Sequence, residues 1–248
     1  MDVIEHLLAH RSIRQFTADP VSDADLARWV RAGQAASTSS HVQAYLAIRV
    51  RDASTRARLV ELTGGQPQVA DAGAFLVIAA DARRHQLIGA DLRSPPAENL
   101  ESFLVSVIDA TLFAQNLVVA AQSEGQGICY IGGLRNDLPA VTELLELPRG
   151  VFPLYGLCLG TPAEDPAVKP RLPVEGVLFE DRVPDDETLR RSIATHDDEM
   201  AAYYASRGLE GRNWSGGVMR KRRVAHRDQL DEYYTAQGAN LGSAEARE

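Results

Sequence analysis

The spacing of apolar residues changes period several times along the chain, and each change predicts an element. Ser22-Asp23-Ala24-Asp25 reads as a capping box ahead of a helix that runs through Ala35, with Leu26, Trp29 and Val30 on one face. The hydroxyl run Ser37-Thr38-Ser39-Ser40 then favours loop, because each hydroxyl competes for nearby backbone groups. Leu46, Ile48 and Val50 alternate with Ala47, Arg49 and Arg51, which predicts a half-buried strand, and the apolar run Ala74 to Ala80 predicts a buried one. Thr63-Gly64-Gly65-Gln66-Pro67 between them reads as loop. From about Glu98 to Glu124, apolar residues such as Leu100, Phe103, Leu104, Val107, Ile108 and Leu112 recur every three or four positions. Being apolar on more than one face, this stretch is expected to be the central buried helix. After the break Gly125-Gln126-Gly127 come a strand over 128–131, Gly132-Gly133, a short helix over 141–147 stopped by Pro148, and a buried strand over 151–159.

Beyond Pro173 the texture changes. An acidic stretch from Glu180 to Glu187 leads into a helix ending at Tyr203-Tyr204, and a basic stretch follows from Arg207 to Arg227. The expected organisation is a core over 1–175 and a helical excursion over 176–248, with the last ten residues frayed. With 45 % apolar and 24 % charged residues the composition is that of a globular protein. A net charge of −8 opposes a general nucleic-acid or anionic-membrane surface, so any bound anion must be met by a local cluster. Cys129 and Cys158 are too few for a disulfide framework or a thiolate zinc site and read as small buried hydrophobes. With no signal-peptide pattern and no run of 18 apolar residues, a cytoplasmic location is expected.

Two segments concentrate cations. His10-Arg11-Ser12-Ile13-Arg14 is answered by Lys169-Pro170-Arg171-Leu172-Pro173, and the prolines deny the second segment a helix. Four cations and a hydroxyl aimed at one point suit a dense anion, most simply a phosphate monoester. Each segment alone also has a plainer reading, as solvated surface charge or as a rigid linker. The serine loop offers small donors and acceptors, Gln66 offers an amide that both donates and accepts, and Gly132-Gly133 lets backbone approach a flat ring closely. Together these suit the mixed polar edge of a flavin. No P-loop, GxGxxG, HExxH, GxSxG or CxxC pattern occurs, and the six histidines are scattered, so metal-dependent hydrolysis has no foothold.

Taken in order, His-Arg-Ser-Ile-Arg, the serine loop, Thr-Gly-Gly-Gln, Tyr-Ile-Gly-Gly-Leu-Arg-Asn, Leu-Cys-Leu-Gly-x-Pro, Lys-Pro-Arg-Leu-Pro and Tyr-Tyr-x-x-Arg-Gly resemble the major oxygen-insensitive NADPH nitroreductases and their FMN-dependent flavin reductase relatives, over roughly residues 2 to 235. The resemblance implies an α+β, three-layer nitroreductase-like fold with a central mixed or antiparallel sheet flanked by helices. It also implies an intertwined homodimer, with FMN at the subunit interface and the C-terminal excursion beside the site. Carried over by residue, Arg11, Ser12, Lys169 and Arg171 would hold the FMN phosphate, His10 would line it, and Arg14 would reach the N1/C2-carbonyl side of the ring. Ser37, Thr38, Ser39, Gln66, Tyr130, Ile131, Gly132 and Gly133 would surround the isoalloxazine. Arg207 and Arg212 would meet the 2′-phosphate of NADPH, or else belong to a solvated basic face. A fixed cation at Arg14 would stabilise the negative charge that reduction places at N1 and O2. The implied activity is ping-pong two-electron reduction of nitroaromatics and quinones by NADPH, with no residue needed as general acid. The alternatives are an NADPH:flavin reductase feeding a partner oxygenase and, more remotely, a non-catalytic FMN-binding module. Ser40 and His41 would border the acceptor pocket. His41 departs from the family, where Phe is frequent beside the serine loop, and this puts the pocket's shape and polarity in doubt.

Overall fold

The computed structural model describes residues 2–223 and 226–241. These fall into two compact units, one of residues up to 166 together with 227 onward, the other over 167–226. The division therefore lies before Lys169, not near 175. The chain after 227 rejoins the first unit, where Tyr233, Tyr234 and Ala239 are buried in the main core. Ala239 and Asn240, expected to fray, are held there, the Asn240 amide donating to the Glu98 carbonyl at 3.0 Å. The rest of the tail expected to fray, 242–248, lies outside the described residues.

The first unit begins with α1 (Val3–Leu8) and α2 (Asp23–Gln34), and Ser22 caps α2 by accepting from the Asp25 N–H at 3.1 Å. Strand β1 (Tyr45–Arg49) is followed by α3 (Ala53–Leu62) and α4 (Gln68–Asp71), neither of which shows in the sequence period. Then come β2 (Ala74–Asp81), α5 (Arg83–Asp91), α6 (Leu100–Ser123) and β3 (Gly127–Ile131). Helix α7 (Leu138–Leu144) starts before the expected 141 because the Asp137 side chain caps it, accepting from the Ala140 N–H at 3.0 Å, and Pro139 suits its first turn. Strand β4 (Val151–Gly160) completes a sheet of order β1-β2-β4-β3.

All three strand pairings are antiparallel, which narrows the mixed-or-antiparallel expectation. Alternation along the strands sorts side chains to two faces. One face packs against α2 and α6 through Leu76, Ile78, Phe113, Leu117 and Leu157; the other packs against α3 and α7 through Leu59, Val77, Val141 and Cys158. The result is three layers. Helix α6 differs from expectation on one flank: Leu100, Leu104, Ile108 and Leu112, four residues apart, are 44–56 % exposed. By length and composition α6 could cross a membrane, yet it buries Ser106 and Asp109 against this unit.

The second unit holds α8 (Asp186–Ala205) and α9 (Trp214–Arg222). They are joined where the Asp197 carboxylate accepts from the Ser215 N–H at 2.7 Å and the His196 ring meets Trp214 edge-on at 5.3 Å. The first unit closes with α10 (Leu230–Tyr234).

Candidate active site

Strand β3 places the first cationic segment. Ser12 forms a single parallel bridge with Ile128, and the Ile13 N–H donates to the Ile128 carbonyl at 2.8 Å. That approach requires Gly127, since a Cβ there would stand 2.8 Å from the Ile13 side chain. Glu164, beyond β4, closes the other side by accepting from the backbone N–H groups of Arg14 and Gln15. His10 is tied to α6, its Nδ1 lying 3.1 Å from Gln122 Oε1. Arg11 pairs with Asp165 and donates to the Ala9 carbonyl at 3.2 Å. Arg11, His6, Gln122, Gly127 and Glu164 share the walls of a cavity of about 610 Å³. Two buried nitrogens on those walls, Arg11 Nε and His6 Nε2, have no hydrogen-bond partner among the described residues. Buried polar groups are normally satisfied, and the Arg11 Nε–H can only donate, so the cavity suits a ligand that accepts hydrogen bonds.

The turn after β3 is brought against Gln66. A Cβ on Gly133 would lie 2.6 Å from Gln66 Nε2, so glycine is required for the approach. The Gln66 amide donates to the Thr63 carbonyl at 2.9 Å and accepts from Gln68 at 3.2 Å, leaving one N–H and one lone pair for a ligand. Tyr130 is engaged by α6, donating to Gln115 Oε1 at 3.1 Å, and burial followed by the neighbouring Tyr155 pushes its phenol pKa up, so it is neutral. Ile131 is buried in the core on the opposite face. What positions 130 and 131 present to a flat ring is therefore main chain.

Two further arginines converge beside this turn. A β-bulge in β4 leaves Leu154 unpaired, and its carbonyl accepts from Arg135 Nη1 at 2.6 Å. Arg227 donates through Nε and Nη2 to Asn136 Oδ1 at 3.1 and 3.0 Å. Neither pairs with a carboxylate among the described residues, and burial, then Arg135, lowers the Arg227 pKa. Two close cations without a counter-ion favour an anion. Neither shows in the sequence pattern, since Arg135 is held by the Leu154 carbonyl and Arg227 by Asn136, contacts made only in the fold.

The serine loop is held elsewhere. The Asp109 carboxylate on α6 accepts from the Ser39 N–H at 3.1 Å and the Ala44 N–H at 3.2 Å. Asp109 and Gln122 are thirteen residues apart on one helix, about 20 Å along its axis. Within one chain, then, the serine loop held by Asp109 stands apart from the His10–Arg14 segment held by Gln122. In the second unit Lys169 Nζ stands 5.7 Å over the Tyr204 ring, and Arg171 donates to the Lys169 carbonyl at 2.9 Å. Arg207 donates to the Tyr203 hydroxyl at 2.8 Å and covers that ring. Arg212 instead lines a cavity of about 190 Å³ with Tyr204, Asn213, Gly217, Arg220 and Lys221, so the two arginines expected to act together do not share a cavity.

Compared with known families, residues 7–161 match the Nitroreductase family and residues 169–242 match its C-terminal domain. The chain belongs to the nitroreductase family. Among nitroreductase relatives it is 44 % identical to the oxygen-insensitive NADPH nitroreductase of Salmonella typhimurium, over 95 % of this chain and 97 % of the relative. It is 41 % identical to the FMN reductase (NADPH) of Bacillus subtilis, over 96 % of this chain and 98 % of the relative. The solved NfrA1 nitroreductase of B. subtilis superposes with a TM-score of 0.92 at 41 % identity, covering 96 % of this chain and 98 % of that one.

Proposed function

We propose that this nitroreductase binds FMN and uses NADPH for two-electron reduction of nitroaromatics and quinones. The reading rests on the two buried nitrogens, of Arg11 and His6, that have no hydrogen-bond partner among the described residues in the cavity beside Gly127, together with relatives named for NADPH and FMN. Bound FMN supplies a carrier that takes a hydride from NADPH and passes an electron pair on, bypassing the one-electron product that oxygen would reoxidise.

The chain's own residues hold and tune that group. Arg11 and Ser12 take the phosphate, with His10 beside it. The present partner of Arg11, Asp165, is 82 % exposed, and such a surface pair contributes at most about 1 kcal/mol, so a phosphate displaces it readily. Charge-assisted hydrogen bonds contribute roughly 1.5–3 kcal/mol each, enough in number to retain FMN without a covalent link. Gln66 and the backbone of Tyr130, Ile131, Gly132 and Gly133 face the ring, and Arg14 steadies the negative charge it gains on reduction.

The acceptor side needs a second copy. The serine loop and His10–Arg14 are anchored about 20 Å apart on α6, so a homodimer completes the site when the loop of one copy meets the cationic segment of the other. The exposed row Leu100, Leu104, Ile108 and Leu112, with the wholly exposed apolar side of α1, supplies the surface for it. A cytoplasmic setting, where NADPH is available, goes with this reading.

The test is spectroscopic. The purified protein is expected to be yellow and to bleach anaerobically with NADPH. Nitrofurazone and free FMN, offered in turn as acceptors, separate nitroreductase from flavin-reductase emphasis. Colourless protein overturns every flavin reading.

A further inference from the structure

The loop from Ser39 to Ala44 holds a backbone that its residues disfavour. Ser40, His41 and Gln43 have φ of 47°, 60° and 51°, the left-handed region, and none is glycine. Ser39, Ser40 and Val42 form one wall of a cavity of about 330 Å³ with Phe103 and Phe152 also lining it. Within the loop the Val42 N–H donates to the Ser39 carbonyl at 3.0 Å, and the Tyr45 N–H donates to the Gln43 carbonyl at 2.9 Å. Two further ties reach it from the helices. His85 Nε2 on α5 lies 2.8 Å from the Val42 carbonyl, and Asp109 on α6 accepts from the N–H groups at both ends of the loop.

Asp109 is 1 % exposed and has no cation within ion-pair distance among the described residues. Burying a carboxylate without a cation is costly, and here the compensation comes from backbone donors alone. We infer that Asp109 is a positioning residue: it fixes Ser40 and His41 in the arrangement the electron acceptor meets, and so sets acceptor preference. This rests on the reading of that loop as the acceptor side of the flavin site. A carboxylate is suited to the task because both its oxygens accept. An asparagine could accept from one end of the loop only, since its NH₂ would face the other N–H.

The test uses the FMN-loaded protein, with Asp109→Asn, Ser39→Pro, Ser39→Ala and the double variant Asp109→Asn with Gln43→Gly. Proline at 39 removes the N–H that Asp109 accepts, and Thr38, at φ −130° and ψ 150°, already has the backbone that a following proline requires. Ser39→Ala removes only the hydroxyl. Amide hydrogen exchange over 39–44 and the ratio of kcat/KM for a nitroarene and a quinone are measured, with the rate of anaerobic bleaching by NADPH as reference. Asp109→Asn and Ser39→Pro are expected to speed exchange at Ala44 about tenfold and to shift the acceptor ratio about threefold, and in Asp109→Asn bleaching changes little. Ser39→Ala should leave exchange slow, and Gln43→Gly should restore slow exchange in the Asp109→Asn background, because glycine adopts left-handed φ freely. Unchanged exchange in both Asp109→Asn and Ser39→Pro overturns the inference. Faster exchange with an unchanged acceptor ratio overturns the acceptor role. Should Asp109→Asn not fold, Ser39→Pro carries the test with the carboxylate in place. Failure of the flavin reading would show in the unaltered protein, as missing colour or bleaching.

Discussion

At the scale of residues, chemistry predicts roles that geometry then redistributes. Arg207 and Arg212 look equivalent in sequence, but Arg207 is engaged by Tyr203 whereas Arg212 lines a cavity with Arg220 and Lys221. A 2′-phosphate is best met by several converging cations. Arg212→Ala is therefore expected to raise the KM for NADPH about tenfold with little effect on NADH, and Arg207→Ala to do less; equal effects on NADPH would return Arg207 to the seat. His41 is exposed with left-handed φ, and its ring lies 3.2 Å from the Gln43 amide. His41→Phe should change the preference between nitroarene and quinone while FMN content stays the same. Identical kcat/KM ratios before and after would remove His41 from the pocket. Of the other candidate site residues, Gln66 and Gly133 stand out in the sequence because short motifs carry them. Asp109, Glu164 and Arg227 were not, since each acts through a partner 65 to 150 positions away or through a contact made only in the fold.

At the scale of elements, strong periodicity marked β2, β4 and α6 within a few residues of their ends. Helices α3 and α5 escaped because their apolar positions are few and their faces mixed, so capping and packing rather than pattern define them. The Asp52 side chain caps α3 by accepting from the Thr55 N–H at 2.7 Å. Elements are also tied by charge. Glu124, just past α6, accepts from Arg28 and from Trp29 Nε1 on α2, and the Arg28 hydrogen bond, then Trp29, holds its carboxyl below the usual range. A depressed carboxylate pKa contributes stability above the unfolded value, and that contribution is lost as pH falls through the folded one. Thermal midpoints measured from pH 6 down to pH 3 should therefore fall less steeply in Glu124→Gln than in the unaltered protein. Parallel curves would show that the tie contributes nothing.

At the scale of the whole molecule, the question is what covers the exposed row on α6. A contiguous apolar row of this kind marks an interface. On the homodimer proposed above, Ile108→Arg should leave a monomer in sedimentation and, because the serine loop of a second copy is then missing, weaken FMN retention. A dimer with full FMN content in that variant would place the interface elsewhere.

The sequence by itself determined β2, β4 and α6, through local period, and it carried the ordered motifs, His10–Arg14, Gln66 and Gly132-Gly133 among them, whose family resemblance implied the three layers and a flavin site. Only the tertiary structure decided which of these groups meet. The register of Ser12 on β3, the bulge that turns Arg135, the carboxylate of Asp109 across both ends of the serine loop, and the 20 Å between that loop and His10 on α6 all arise from contacts between distant positions, which no local pattern encodes.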